Sequence, residues 1–137
     1  MQTVKQTAEK LSALLTQKFA TVRVSALSNP EQFLHEIRAI NPANLPGVII
    51  VYDGGSFNDE NTMRTERMTL IVLDRFRSGS DDRALELLAN VDKVLELIPP
   101  EGVELDGVYV TPEDCNSCSN VADFAALAVG IVVRQGT

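Results

Sequence analysis

Residues 62–76 read TMRTERMTLIVLDRF, and the way this stretch alternates decides the fold class. Met68, Leu70 and Val72 alternate with Thr69, Ile71 and Leu73, so the middle of the segment is apolar at both parities. In a strand, successive side chains point to opposite faces. A strand apolar on both is covered on both, by helices or by a neighbouring subunit. The ends of the segment differ, because Arg64, Glu66, Arg67, Asp74 and Arg75 flank the apolar centre.

Upstream, residues 47–55 (GVIIVYDGG) form a nearly continuous apolar run that reads as a second strand. Asp53, Gly54 and Gly55 tolerate positive φ and are read as its end. The polar residues 56–61 then read as an exposed loop. Downstream, residues 81–98 (DDRALELLANVDKVLELI) carry Ala84, Leu87, Leu88, Val91, Val94, Leu95 and Ile98 on one stripe at helical spacing. Ser80 is placed to cap this helix, Asp81 and Asp82 suit its positive end, and Pro99 and Pro100 stop it.

Further out, residues 3–19 place Val4, Ala8, Leu11, Leu15 and Phe19 on one helical stripe, and residues 21–27 (TVRVSAL) switch to β-branched alternation. In residues 28–33 (SNPEQF) Asn29 can cap, Pro30 suits the first helical position and Gln32 can reach back. Phe33, Ile37 and Ile40 give that short helix its apolar side. Residues 102–114 (GVELDGVYVTPED) and 122–135 (ADFAALAVGIVVRQ) read as two closing strands. In the last one Ala126, Ala128 and Gly130 make a thin face that admits a closely packed helix. The expected fold is a single α+β domain over residues 1–137: a mainly antiparallel mixed β-sheet with a long central helix and an N-terminal helix packed on it.

Composition agrees with one folded unit. A chain of 137 residues buries roughly two thirds of its unfolded surface, and 45% hydrophobic with 23% charged residues is ordinary for a globular domain. A net charge of -7 disfavours nucleic acid, whose non-specific affinity comes from Lys and Arg displacing counterions. Charges interrupt the first twenty residues, so no signal peptide is expected, and the nearly uncharged run 121–133 is too short for a membrane helix. A cytoplasmic origin without a structural disulfide follows as the expectation.

Residues 113–120 (EDCNSCSN) hold both cysteines, Cys115 and Cys118, and are read as a loop. A redox pair belongs at a helix start, where the dipole lowers a thiol pKa, whereas here Glu113, Asp114 and Asp123 would raise it. Structural zinc needs four N or S ligands, and beyond these two thiols the chain has only His35. His35 has no nucleophile placed beside it by any motif. The segment YDGGSF lacks the lysine of a phosphate-binding loop, and Asp53, Asp59 and Glu60 could ligate a hard cation but read first as a solvated loop. No constellation supports catalysis, and no cofactor is expected.

In LPGVIIVYDGG (45–55), RTERMTLIVLDRFR (64–77), DDRALELLANVDKVLELI (81–98) and the closing valine-rich strand, the chain resembles the tail terminator or tail completion proteins of long-tailed phages, particularly those of Mu-like prophages. The resemblance lies in the order and style of segments over most of residues 3–134. It implies an α+β fold and a homo-oligomeric ring, commonly hexameric, that caps the tail tube, ends its growth and offers a head-joining surface. The implied partners are other copies of the chain, the tail tube and head-completion proteins. The implied setting is the host cytoplasm during assembly and then the virion tail. By this likeness Ser56, Asp59, Glu60, Arg64, Arg67, Arg75 and Arg77 are the interface candidates. The competing readings are a small binding module built around YDGG and, more distantly, a metal-dependent enzyme using the acidic loop or the cysteines.

Overall fold

A computed structural model describes residues 2–25, 30–58, 60, 63–75, 81–117 and 124–136, without the side chains of 30–33 and 81–84. The elements run α1 (Val4–Leu15), β1 (Thr21–Ser25), α2 (Pro30–Arg38), a 3₁₀ turn (Pro42–Asn44), β2 (Gly47–Phe57), β3 (Met63–Arg75), α3 (Asp81–Leu97), β4 (Val103–Leu105), β5 (Val108–Ser117) and β6 (Phe124–Gly136). Six strands form one mixed sheet in the order β1-β2-β3-β6-β5-β4, curled into a half-barrel with three helices. The β1–β2 pair is parallel, and the pairs β2–β3, β3–β6, β6–β5 and β5–β4 are antiparallel.

The two parities of β3 go to two cores. Met68, Leu70 and Val72 join Val48, Ile50, Val129, Ile131 and Val133 beneath Leu11 and Leu15 of α1 and Val91 and Val94 of α3. Leu73 and the partly buried Ile71 join Ile49, Val51, Phe124 and Ala126 beneath Ile37 and Ile40, on and just after α2. The central strand is thus apolar on both sides because helices lie on both. Ala126 belongs to the thin face of β6 and lies in this second core; Ala128 and Gly130, further along, are only half-buried.

Helix α1 starts at a capping box, with Thr3 Oγ1 accepting from the Gln6 N–H at 3.1 Å and the Thr3 N–H donating to Gln6 Oε1 at 2.9 Å. It stops at Leu15, earlier than the stripe predicts, and Phe19 stays buried beyond its end. The α3 stripe is also shorter in effect than its sequence. Val91, Val94 and Ile98 are buried, while Leu88 is exposed. Asn90 marks the change: its Nδ2 donates to Asp74 Oδ2 at 2.7 Å at the end of β3. The caps expected at Asn29 and Ser80 lie outside the described residues.

Three expectations are corrected. First, β2 does not end at Gly54 and Gly55. The pairing skips a residue between Tyr52 and Gly54, Gly54 takes a φ of 130°, and the strand runs on to Phe57. Such a bulge uses the same φ freedom as a turn. A Cβ on Gly55 would collide with the Glu66 carboxylate, so the second glycine serves a close approach. Second, residues 102–114 are not one strand. Asp106 and Gly107, at φ 52° and 90°, make the tight turn between β4 and β5. Third, β5 runs to Ser117, which puts Cys115 on a strand rather than in a loop.

Candidate functional site

The most distinctive surface is the half of the sheet that α2 leaves uncovered. β1 pairs with β2 only as far as Val51, so residues 52–57 pair with β3 alone and extend the sheet as a long hairpin. Across β3, β6 and β5 this side carries Arg67, the buried Val132 and Thr111 in one row, and Thr69, Gly130 and Asp114 in the next. Its polar groups bond across the strands. Thr69 Oγ1 donates to Asp53 Oδ2 at 2.5 Å, Arg67 Nη1 to Glu113 Oε2 at 2.5 Å, and Arg134 Nη1 to Thr111 Oγ1 at 3.3 Å. Glu113 raises the pKa of Arg67 through that hydrogen bond, which fixes the charge of a group already always protonated. Gly130 is small because the Asp114 carboxylate lies against it. At the hairpin end Met63, on this side, is 42% exposed, and Phe57, opposite Arg64 on the other side, is 60% exposed.

The opposite side of the same hairpin is locked down. Glu66 is buried, takes an ion pair from Arg64 at 3.0 Å and a hydrogen bond from the Tyr52 hydroxyl at 2.5 Å. The Glu66 carboxylate holds the Tyr52 hydroxyl above its usual pKa. Arg64 Nη2 in turn donates to the Gln2 carbonyl at 2.6 Å, which also accepts from Gln135 Nε2 at 2.8 Å. The Gln2 N–H donates to Gln135 Oε1 at 3.1 Å, and its Nε2 donates to the carbonyls of Leu105 and Asp106 at 2.8 Å each. Thr7 Oγ1 closes the set by donating to Gln2 Oε1. Gln2 therefore ties α1, β3, β6 and the β4–β5 turn together with its donors and acceptors used, as buried polar groups require.

The interface candidates fall into different places. Ser56, Glu60 and Arg67 are exposed on the hairpin. Arg64 turns inward to Glu66 and Gln2, and Arg75 Nε donates to the Pro42 carbonyl at 3.0 Å. Asp59 and Arg77 lie outside the described residues. Cys115 is exposed and free on β5, and Cys118 lies outside the described residues. Among the described residues no group of three or more His, Cys, Asp or Glu side chains could hold a metal ion. His35 is exposed on α2, and Asp53 is engaged with Thr69. Among the described residues no helix is long and apolar enough to cross a membrane.

Sequence reasoning missed Gln2, Glu113 and the exposed pair Phe57 and Met63. Partners separated by 46 to 133 residues leave no local signal for the first two. It also missed an almost wholly apolar groove of about 450 Å³ between α1 and the β1 side of the sheet, lined by Val4, Ala8, Val24, Ile50, Tyr52 and Met68. No protein-family model matches the chain, and a search of curated proteins returns no match.

Proposed function

We propose that this chain is a non-catalytic phage or prophage tail-assembly protein of the tail-terminator type. It forms a homo-oligomeric ring, commonly hexameric in the family it resembles, that caps the tail tube, ends tube growth and presents a head-joining surface. In this reading the fold is a mainly antiparallel sheet carrying the N-terminal α1 and the long α3 on one face. The tail tube and head-completion proteins are its partners, and it passes from the host cytoplasm to the virion tail. The observation that carries the reading is the hairpin end, where Met63 and Arg67 are exposed on one face of the strand pair and Phe57 on the other. Aromatic residues, Met and Arg are the types enriched where proteins meet. Of the candidates, Ser56, Glu60 and Arg67 serve as tube contacts, while Arg64 shapes the surface from within and the exposed Arg75 is held to the Pro42 carbonyl.

The test is native mass over a concentration series by size exclusion with light scattering, with electron microscopy of the largest species and of mixtures with tail tubes. A closed ring that seats on tube ends is the expected result. A monomer at every concentration that ignores tubes overturns it. The apolar groove of about 450 Å³ favours a second reading, a small binding module, and that monomer would put it ahead.

A further inference from the structure

The sheet has two terminal strands, β1 and β4, and their free edges match in pattern and in charge. In β1, Val22 packs against the core beneath α1 and α3, Val24 lines the groove on that same side, and Arg23 points to the opposite face. In β4, Val103 and Leu105 pack against that same core, so Glu104 points to the opposite face with its neighbour Tyr109. Arg23 and Glu104 are both exposed, and among the described residues neither side chain has a hydrogen-bond or ion-pair partner. By contrast Lys5, Lys10, Lys18, Arg64 and Arg67 are all paired within the chain.

The other open stretches of sheet edge are guarded. Residues 52–57 of β2 contain the bulge beside Gly54, and the open part of β5 contains Pro112 with a second bulge between Pro112 and Asp114. Bulges and proline are what proteins place on edges that must not pair. Acidic residues mark both, Asp53 on one and Glu113 and Asp114 on the other, so these stretches would repel one another. β1 and β4 pair with their neighbours without any shift of register.

We infer that β1 of one copy joins β4 of the next, continuing the sheet from subunit to subunit, with Arg23 against Glu104 on one face and Val24 covered by Val103 and Leu105 on the other. The joint uses two different patches of one chain, and this head-to-tail geometry closes into a ring when the rotation per subunit allows. Opposite charges facing each other across strands favour this register, and like charges oppose it. The inference rests on the reading of the chain as a self-assembling protein, but not on what the assembly caps.

The experiment uses the full chain and two charge reversals, Arg23→Glu and Glu104→Arg, each checked by thermal melting for an intact fold. Each variant alone sets like charges at every joint and is expected to raise the dissociation constant of the assembly at least about tenfold. An equimolar mixture is expected to assemble again, because every joint between unlike copies then pairs opposite charges. Singles that assemble as the unaltered chain does, or a mixture of folded variants that stays dissociated, would overturn the joint and leave the ring standing. An unaltered chain that is monomeric at every concentration and in the presence of tail tubes would remove the ring, and the joint with it.

Discussion

β3 passes through two environments, and comparing its halves shows what the helices do. From Leu70 to Leu73 both parities are apolar and both faces are covered, one by α1 and α3 and the other by α2. From Met63 to Arg67 the strand belongs to a hairpin whose one face, Thr65 and Arg67, has no helix over it among the described residues, and whose other face is packed by the Arg64–Glu66 pair and Gln2. One strand is thus half core and half surface. The change coincides with the end of β1 pairing at Val51 and with the switch from charged to apolar residues along β3 itself.

If that division is right, substitutions in the two halves must differ sharply. Leu70→Ala, at a fully buried position, should cost about 2–5 kcal/mol in denaturant unfolding because it removes side-chain burial and leaves a cavity. Thr65→Ala, on the open face of the other half, should leave the midpoint nearly where it was. Comparable losses at the two positions would show that something covers the hairpin.

The boundary itself can be broken at either end. Asn90→Leu removes one donor from the buried Asp74 carboxylate and should cost about 1–3 kcal/mol. Gln2→Ala removes the side chain that satisfies Thr7, Leu105 and Asp106, and should cost a similar amount while raising amide exchange in the β4–β5 turn. Exchange confined to α1 after the Gln2 change would mean that the strap holds the helix and not the hairpin.

How far this division was legible follows from the same residues. The double alternation of residues 68–73 is local, and it reads correctly as a strand covered on both sides from Leu70 to Leu73, while Thr69 stands on the open side. The α3 stripe is equally regular, yet periodicity records only which side faces inward and not how far the sheet extends beneath it, so Leu88 reads as core and stands exposed. Gly54 was ambiguous in principle, because a bulge and a turn ask for the same φ. Asp106 and Gly107 were not ambiguous: an Asp-Gly pair between alternating apolar residues is a hairpin signal, and reading through it merged two strands. Gln2 could not be read from sequence at all, since its partners lie up to 133 residues away.

On the open face, Arg67→Glu should not move the melting midpoint measurably, because Arg67 and Glu113 are both solvent-accessible and an exposed pair contributes little to stability. Under the proposed tail-terminator function its expected effect is on assembly: weaker seating on tail tubes, restored by Glu113→Arg in the same chain if the pair's orientation matters and not restored if the sign of the charge at 67 is what the partner reads. Full seating by the single variant would take Arg67 out of the contact.

The smallest expected effect lies on the rim of the covered face. Lys10 reaches Asp106 at 2.7 Å and Lys18 reaches Glu96, clipping α1 to the β4–β5 turn and to α3. In each case the lysine hydrogen bond holds the carboxyl below its usual pKa. A carboxyl depressed in the folded state contributes stability that is complete above the ordinary carboxylate range of about 4 and is lost as pH falls through the folded value. Both pairs are exposed, so the contribution is small and screened by salt. Lys10→Met should return the Asp106 carboxyl toward its ordinary pKa in an NMR titration and flatten the acid limb of the melting profile only slightly. A large loss of stability at neutral pH that disappears in acid, where the carboxyl is protonated in either chain, would mean that the helical cover depends on its clips. The core beneath α1 argues the reverse: Leu11 and Leu15 are fully buried, and the helix stays where they are anchored.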